Sequence, residues 1–271
     1  MLTTYSADGT EVRAHDEGQG PPVILVGPGL GDGRRGVKLS RILARRFRVL
    51  RPHRRQYRPD LKTDAPCSVA QEVEDIEALS RALGTPCVLY GHSSGGVVAL
   101  EALVSSPESF LGAVIFEPPS RVGTSLTGQD GAVLQQARTA AAAGRFGQAL
   151  SIFTRDVVGL PAWQAWPAAT RGAFVRRYRE LICCQLDDLE AIDRLGVRLE
   201  SYAQIEVPIV LLGGERSPGH LLGRLDALER VMPHAQQVRV RGQDHGADVK
   251  APTKVAQVIE VLADEVLPRR G

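Results

Sequence analysis

The sequence predicts an α/β fold: a mostly parallel central sheet flanked by helices, with a helical segment inserted before the last two strands. Two observations predict it. Short, wholly apolar runs, typical of strands buried on both faces, alternate with runs that are apolar at helical spacing. Such repeated strand-then-helix units imply a parallel sheet covered by helices on both faces. The alternation also stops between about Ser120 and Gln204, where helical pieces separated by glycine and proline replace it.

The elements follow from local signals along the chain. Asp8-Gly9 is a turn signal that predicts a hairpin between Leu2–Tyr5 and Glu11–His15. The later strands are predicted at Val23–Val26, Phe47–Leu50, Pro86–Tyr90, Leu111–Phe116, Val207–Leu212 and Gln236–Val240. The helices of this part are predicted at Val37–Phe47, Val69–Leu83 (opened by a capping box of Ser68 with Gln71), Ser94–Ser106, Leu221–Val231 and Val255–Val266.

The 271 residues suit one α/β domain with an inserted lid. We expect the core at 1–119 and 205–271, and a helical cap at 120–204. The cap's helical pieces are predicted at Ala132–Ala143, Gly147–Val158, Ala168–Cys184 and Leu186–Leu195. We expect it to cover the C-terminal edge of the sheet, which is where ligands bind in open α/β sheets.

Composition excludes several classes of function. The chain is 43% hydrophobic and 24% charged with a formal net charge of +2, which gives no reason to expect nucleic acid or a membrane as partner. The first twenty residues resemble no signal peptide, and no apolar run approaches the roughly 20 residues of a membrane span. The four cysteines lack C-x-x-C spacing and are expected to stay reduced in a cytoplasmic protein.

A short basic cluster lies at Arg51–Asp60, RPHRRQYRPD. Such a cluster on a loop is usually solvated surface, which is the expectation here, with an anion-binding site as the alternative.

The pentapeptide Gly91-His92-Ser93-Ser94-Gly95 has the pattern G-x-S-x-G, with a predicted strand before it and an apolar helix after it. This order of strand, turn and helix is the context in which the pattern forms a nucleophile elbow. Its two glycines are expected because a side chain there would collide with the adjoining strand or helix. Ser93 would then be exposed on the turn; the alternative is an ordinary glycine-rich turn.

With this pentapeptide, a histidine after the last predicted strand and a glycine-rich loop after Val23–Val26, the chain resembles the α/β-hydrolase superfamily over Leu2–Phe116 and Val207–Pro268. The family places a nucleophile, an acid and a histidine in that chain order. The resemblance therefore implies Ser93 as nucleophile and His245 as base. His92 is held too tightly within the elbow to serve as base, and we expect it to pack against the glycine-rich loop.

The position of the acid is a departure from the commonest family pattern. Many members carry it in a G-x-x-D motif after the strand that is Val207–Leu212 here, but this chain reads Gly214-Glu215-Arg216-Ser217. Other members hold the acid at the end of the strand after the nucleophile helix, where this chain has Glu117. A carboxylate ending a buried strand is costly without a partner, and protonated His245 would be one. Glu215 is the reserve candidate, and the alternative for Glu117 is a structural ion pair or strand cap.

The resemblance also implies an oxyanion hole made by the backbone N–H groups of Leu30 and Ser94. The family usually has His-Gly-x in the first loop, whereas this chain has Pro28-Gly29-Leu30. Gly29 is expected to lie against the substrate. Trp163 and Trp166 of the cap are expected to line its pocket, although such aromatic residues often only pack helices together.

The resemblance implies a serine esterase or lactonase that acts on a small hydrophobic substrate through a Ser-His-Glu triad and an acyl-enzyme. The departures in the acid and the loop also resemble capped lactonases of the superfamily. No metal or other cofactor is expected, and the chain would be a monomer or homodimer. The alternatives are an acyltransferase, a thioesterase or a C–C bond hydrolase with the same triad, and a non-catalytic ligand-binding homologue.

Overall fold

The computed structural model describes residues 1–31, 35–61, 67–159 and 176–267, with side chains left undescribed at 59 and 176–178. Its strands are β1 Leu2–Tyr5, β2 Glu11–Glu17, β3 Pro22–Val26, β4 Arg48–Pro52, β5 Cys87–His92, β6 Phe110–Phe116, β7 Ile209–Gly214 and β8 Ala235–Val240. They form one sheet in the order β1-β2-β4-β3-β5-β6-β7-β8. β1 pairs antiparallel with β2, and β2 antiparallel with β4, while the other neighbours are parallel.

The helices are α1 Val37–Leu43, α2 Val69–Leu83, α3 Ser94–Ser105, α4 Ala132–Ala142, α5 Phe146–Ile152, α6 Arg176–Leu195, α7 Leu199–Tyr202, α8 Gly219–Val231, α9 Ala247–Lys250 and α10 Pro252–Val266. The predicted capping box opens α2: Ser68 Oγ accepts a 3.2 Å hydrogen bond from the Gln71 N–H, and the Ser68 N–H donates a 3.0 Å bond to Gln71 Oε1. α2 ends at Gly84, whose φ of 69° is a conformation that glycine adopts at little cost.

Alternate side chains of the parallel strands enter two cores, as the period of two along a strand requires. On one face, Ile24 and Leu89 pack with α2 and α3. On the other, Val23 and Val88 pack with α1 and α10. The predicted α/β fold with a mostly parallel sheet flanked by helices is confirmed.

The described part of the segment between β6 and β7 opens with a loop and then holds α4, α5, a π-helical turn at Phe153–Val157, α6 and α7. Its buried side chains, Ile182 of α6 among them, join the core that holds α2 and α3. α6 runs without a break past Gln185, where the sequence predicted the boundary between two helices. The division of the chain into core and cap remains a prediction, and Trp163 and Trp166 lie outside the described residues.

The strand register brings the chemically important residues to one edge. His92 pairs with Phe116, and Phe116 pairs with Leu212, so β5, β6 and β7 end side by side. The residues that follow these ends are Ser93, Glu117 and the turn at 215–217. None of the described helices is both long and apolar enough to cross a membrane.

Candidate active site

Ser93 occupies the sharp turn between β5 and α3. Its φ of 53° and ψ of −128° lie in a region that side chains other than glycine rarely adopt. The Ser93 N–H donates a 2.8 Å hydrogen bond to the Phe116 carbonyl, which ties the turn to the end of β6. Ser93 lines a cavity of about 230 Å³. The strand–turn–helix geometry is that of a nucleophile elbow.

The two glycines of the pentapeptide are required by close contacts. A Cβ on Gly91 would lie 2.6 Å from the Ala99 Cβ, and one on Gly95 would lie 2.3 Å from the Gly27 carbonyl oxygen. The second contact is with backbone, which cannot rotate away. The elbow is therefore packed directly against the loop that follows β3.

Replacing Gly95 with alanine is expected to lower the free energy of unfolding by about 2 kcal/mol, since the methyl group must displace the backbone of Gly27. Gly223→Ala is the matched control, because a Cβ there has no heavy atom within 4 Å and its helix favours alanine. Urea unfolding of both variants checks this. Equal stability of Gly95→Ala and wild type would contradict the close packing.

His245 and Glu117 are in direct contact. His245 lies between β8 and α9, and its Nδ1 is 2.6 Å from Glu117 Oε2. Because the carboxylate only accepts, Nδ1 carries the hydrogen, which leaves Nε2 of the neutral ring as the acceptor. The other carboxylate oxygen, Oε1, accepts a 2.7 Å hydrogen bond from the Gly214 N–H. Glu117 is fully buried, and each of its two carboxylate oxygens accepts a hydrogen bond.

The surroundings keep Glu117 ionised. Burial acts to raise the pKa of the carboxyl, but the hydrogen bond and charge of His245, followed by Ser217 and the Gly214 N–H, outweigh it. The pKa therefore lies below its usual value. The reserve candidate, Glu215, faces elsewhere: its Oε2 accepts a 2.7 Å hydrogen bond from the Gly242 N–H. Ser217, at the position where many relatives carry the acid, is buried.

His92 differs from its prediction. Instead of packing against the glycine-rich loop, its ring stacks on Phe116, with centroids 4.4 Å apart, and lies 4.8 Å from the ring of His245. His92 Nε2 is 3.1 Å from the His245 carbonyl oxygen and donates to it. Burial lowers the pKa of His92 to about 4, so the ring is neutral at pH 7 although Asp248 acts in the opposite direction. His92 thus supports the loop that carries His245.

Two further residues, a partly buried ion pair that the sequence did not reveal, lie against His92. Asp248 Oδ2 is 3.4 Å from His92 Nδ1. Arg35 binds Asp248 through two hydrogen bonds, Nε to Oδ2 at 2.8 Å and Nη2 to Oδ1 at 3.0 Å. Burial acts to raise the pKa of Asp248, but His92 and Arg35 outweigh it and lower it. An aspartate three residues after His245 was the available signal in the sequence, but only the fold shows its burial and its partners.

Backbone strain is concentrated at this edge of the sheet. Among the described residues, four that are not glycine have a positive φ, and three of them are Leu30 (55°), Ser93 (53°) and Glu117 (43°). Such conformations cost of order 1–3 kcal/mol each and cluster at functional sites. All three are residues to which the sequence assigned a role, and the fourth, Asp130, is not.

The cavity beside Ser93 is small and of mixed character. Both Ser93 and His245 line it, as do Gly29 and Leu30 of the loop after β3. Its other described walls include Phe153, Val158, Thr154, Gln185, Arg35 and Lys250. Gly29 has to be glycine, because a Cβ there would lie 1.9 Å from Gln185 Oε1. The volume suits a small substrate.

The prediction of a solvated basic cluster is wrong. Arg51 is 5% exposed, and Arg54, Arg55 and Arg58 are each 8% exposed. Arg54 binds Glu72 and Asp188, and Arg55 binds Asp75 and Asp8. The partners lie up to 134 residues away along the chain, so local charge density could not reveal them.

Within the described ranges, no group of three or more histidine, cysteine or acidic side chains is placed to hold a metal ion. A serine and a histidine line one cavity at the sheet edge, and a carboxylate contacts the histidine.

Comparison with known proteins agrees with this geometry. The sequence profile described as the alpha/beta hydrolase family matches residues 23–258. The chain belongs to the alpha/beta hydrolase family.

Solved structures of the same fold cover nearly the whole chain. An alpha/beta hydrolase from Sphaerobacter thermophilus DSM 20745 is similar with 26% identity and a TM-score of 0.76, over 96% of this chain and 99% of that one. An esterase from Rhodococcus sp. ECU1013 has 20% identity and a TM-score of 0.73, over 98% and 99%. The 2-hydroxy-6-oxo-6-phenylhexa-2,4-dienoate hydrolase from Rhodococcus sp. strain RHA1 has 17% identity and a TM-score of 0.71, over 97% and 98%.

Proposed function

We propose that this protein is a serine hydrolase that cleaves an ester or lactone of a small hydrophobic substrate. The observation that carries the proposal is the 2.6 Å contact between Glu117 and His245 Nδ1, with Ser93 and His245 on the walls of one cavity. Nε2 of that ring accepts the Ser93 proton as the hydroxyl attacks the substrate carbonyl. An acyl-enzyme forms, the alcohol leaves with the proton, and water then releases the acid.

The oxyanion of each tetrahedral intermediate is held by the backbone N–H groups of Leu30 and Ser94. Ser94 is the first residue of α3, where helix N–H groups point outward without intrahelical partners. Leu30 lines the cavity in a strained conformation. Donors fixed in this way stabilise negative charge without reorganising during the reaction. The helical segment between β6 and β7 acts as a cap, since Phe153, Val158 and Gln185 wall the cavity.

A fluorophosphonate probe tests the nucleophile. We expect wild-type protein to gain one phosphonyl group on Ser93, found by mass spectrometry of peptides, and Ser93→Ala to gain none. Ser80→Ala is the matched control, because Ser80 is a buried serine of α2 whose hydroxyl donates a hydrogen bond to the Ser109 carbonyl oxygen. It should label like wild type. Absence of labelling that depends on Ser93 would overturn the proposal.

A panel of short p-nitrophenyl esters and small lactones then defines the reaction. The triad would also serve a thioesterase, an acyltransferase or a C–C bond hydrolase, so products are identified with water alone and with an added alcohol acceptor. Release of the free acid in both supports the hydrolase. If the main product is the ester of the added alcohol, the protein is an acyltransferase. If it turns over a vinylogous diketone but no ester, it is a C–C bond hydrolase. Either result would overturn the proposal of an ester hydrolase.

A further inference from the structure

Arg54 makes hydrogen bonds to elements of the proposed site in addition to its two ion pairs. It follows β4, outside the triad, and its side chain is 5% exposed. Nε donates to Glu72 Oε1 at 3.0 Å, and Nη2 donates to Glu72 Oε2 at 2.5 Å and Asp188 Oδ1 at 2.9 Å. A buried guanidinium needs such carboxylate partners, since an unpaired charge there is expensive. These three hydrogen bonds to carboxylates are enough to compensate the positive charge of Arg54.

The remaining nitrogen of Arg54 reaches both halves of the proposed oxyanion hole. Nη1 donates to Ser94 Oγ at 2.6 Å and, more weakly, to the Gly27 carbonyl oxygen at 3.4 Å. Ser94 supplies one oxyanion N–H, and Gly27 begins the loop whose Leu30 supplies the other. With these two bonds, all five N–H donors of the guanidinium are used inside the protein. Arg54 therefore has no donor left for an external anion.

The Arg54 guanidinium also connects Ser94 and the loop after β3 to α6. Asp188 lies on α6, and its other oxygen accepts a 2.6 Å hydrogen bond from the Tyr57 hydroxyl. Tyr57 also donates to Gln185 Oε1 at 3.2 Å, and Gln185 packs against Gly29 and lines the cavity. The position of α6 is thereby linked to the loop after β3 at two points, through Arg54 and through Gln185.

We propose that Arg54 is a positioning residue for the oxyanion hole, holding Ser94 and the 27–31 loop at a fixed separation when Asp188 of α6 is docked against it. This inference rests on the proposed function. Arg54 touches no reacting atom; it acts through Ser94 and Gly27. Small displacements of an oxyanion donor are costly, because a misplacement of about 1 Å can lower the rate about 100-fold.

The chain contains a natural control for the stability of buried arginine pairs. Arg55, the next residue, is 7% exposed and binds Asp75 through Nε at 2.8 Å and Asp8 through Nη1 at 2.6 Å. Its described partners are on α2 and the β1–β2 turn, away from Ser94 and the loop after β3. Lysine at either position keeps the charge but loses the fork of donors. Only Arg54→Lys should disturb the oxyanion hole.

The test compares Arg54→Lys, Ser94→Ala, their double variant, Arg55→Lys and Ser80→Ala by kcat, KM, melting temperature and fluorophosphonate labelling rate. Ser94→Ala keeps the backbone N–H and leaves no carboxylate unpaired, so it remains informative if Arg54→Lys does not fold. We expect Arg54→Lys and Ser94→Ala each to lower kcat and the labelling rate about 10- to 100-fold, with KM within about threefold. The double variant should be no slower than the slower single one, because both break the same contact.

Arg55→Lys should lower the melting temperature about as much as Arg54→Lys while kcat stays within about twofold of wild type. Wild-type kcat in Ser94→Ala, additive losses in the double variant, or an equal loss of kcat in Arg55→Lys would each overturn the inference. Failure of the proposed function has a different signature: wild type itself would show no Ser93-dependent labelling. Normal labelling of wild type and of Ser94→Ala at equal rates would sink the inference alone.

Discussion

Replacing Glu117 with glutamine is expected to lower kcat by about 10³- to 10⁴-fold with KM within about threefold. Glutamine keeps the shape, and its oxygen can still accept from the Gly214 N–H that now binds Oε1. It cannot stabilise the imidazolium of His245, however. Its NH₂ group, placed against Nδ1, would also favour the tautomer with hydrogen on Nε2, and that nitrogen could then no longer accept the Ser93 proton.

Glu215→Gln is the matched control for this prediction. Glu215 also follows a sheet strand and binds a backbone N–H, that of Gly242, but it does not contact His245. Its kcat should stay within about twofold of wild type. Circular dichroism and melting temperature confirm that both variants fold. A loss of less than about tenfold in Glu117→Gln, or a larger loss in Glu215→Gln, would show that Glu117 is not the acid of the triad.

The placement of Glu117 was predictable because it depends on topology alone. Parallel neighbours β5 and β6 must end at the same sheet edge, so a carboxylate that follows β6 meets the elbow that follows β5. The same reasoning placed Leu30 at that edge, after β3. Element boundaries followed the apolar runs to within a few residues. What these residues do in catalysis remains a prediction for kinetics to test.

Contacts between distant polar side chains were not predictable in this way. Arg54 reads locally as one of several arginines on a loop, and its burial depends on Glu72 and Asp188, 18 and 134 residues away. From its place in the elbow, His92 was predicted not to serve as the base, and this stays a prediction. Its actual neighbours, Phe116 and the loop of His245, depend on how the chain returns after β8, which no local pattern encodes.

The buried polar groups form two supports on either side of the proposed triad. Arg54 ties Ser94 to the loop after β3, and His92, which lies beside the Arg35–Asp248 ion pair, holds the backbone of His245. A site of this kind has to hold its donors within a fraction of an ångström without help from water. Buried charge near the site therefore has a positional explanation as well as a cost in stability.

His92 is expected to make the fold sensitive to acid between pH 6.5 and 4. Its pKa falls from 6.5 to about 4 on folding, because the fully buried ring cannot be hydrated when charged. Above pH 6.5 the ring is neutral in both states and contributes no pH dependence. As the pH falls through this window, the unfolded chain takes up a proton that the folded one does not. The unfolding free energy should therefore decrease by about 3 kcal/mol from this residue alone.

The charged and titratable groups around His92 determine its pKa, and with it the pH range in which stability changes. Asp248 favours the charged ring, whereas burial, His245 and Arg35 disfavour it. The pKa of Asp248 is itself lowered, so its contribution to stability is present above its unfolded pKa of about 3.9 and is lost only below that value. Titration of Asp248 therefore falls outside the range in which His92 acts.

Urea unfolding of wild type, His92→Gln and His234→Gln at intervals from pH 4 to 7 measures this contribution. Glutamine keeps an N–H donor for the His245 carbonyl oxygen but has no proton to take up. The difference in unfolding free energy between wild type and His92→Gln should change by about 3 kcal/mol across the range, because wild type alone loses stability through this group. His234, an exposed histidine before β8, is the control and its variant should run parallel to wild type. Parallel curves for His92→Gln as well would mean that His92 is not held neutral in the fold.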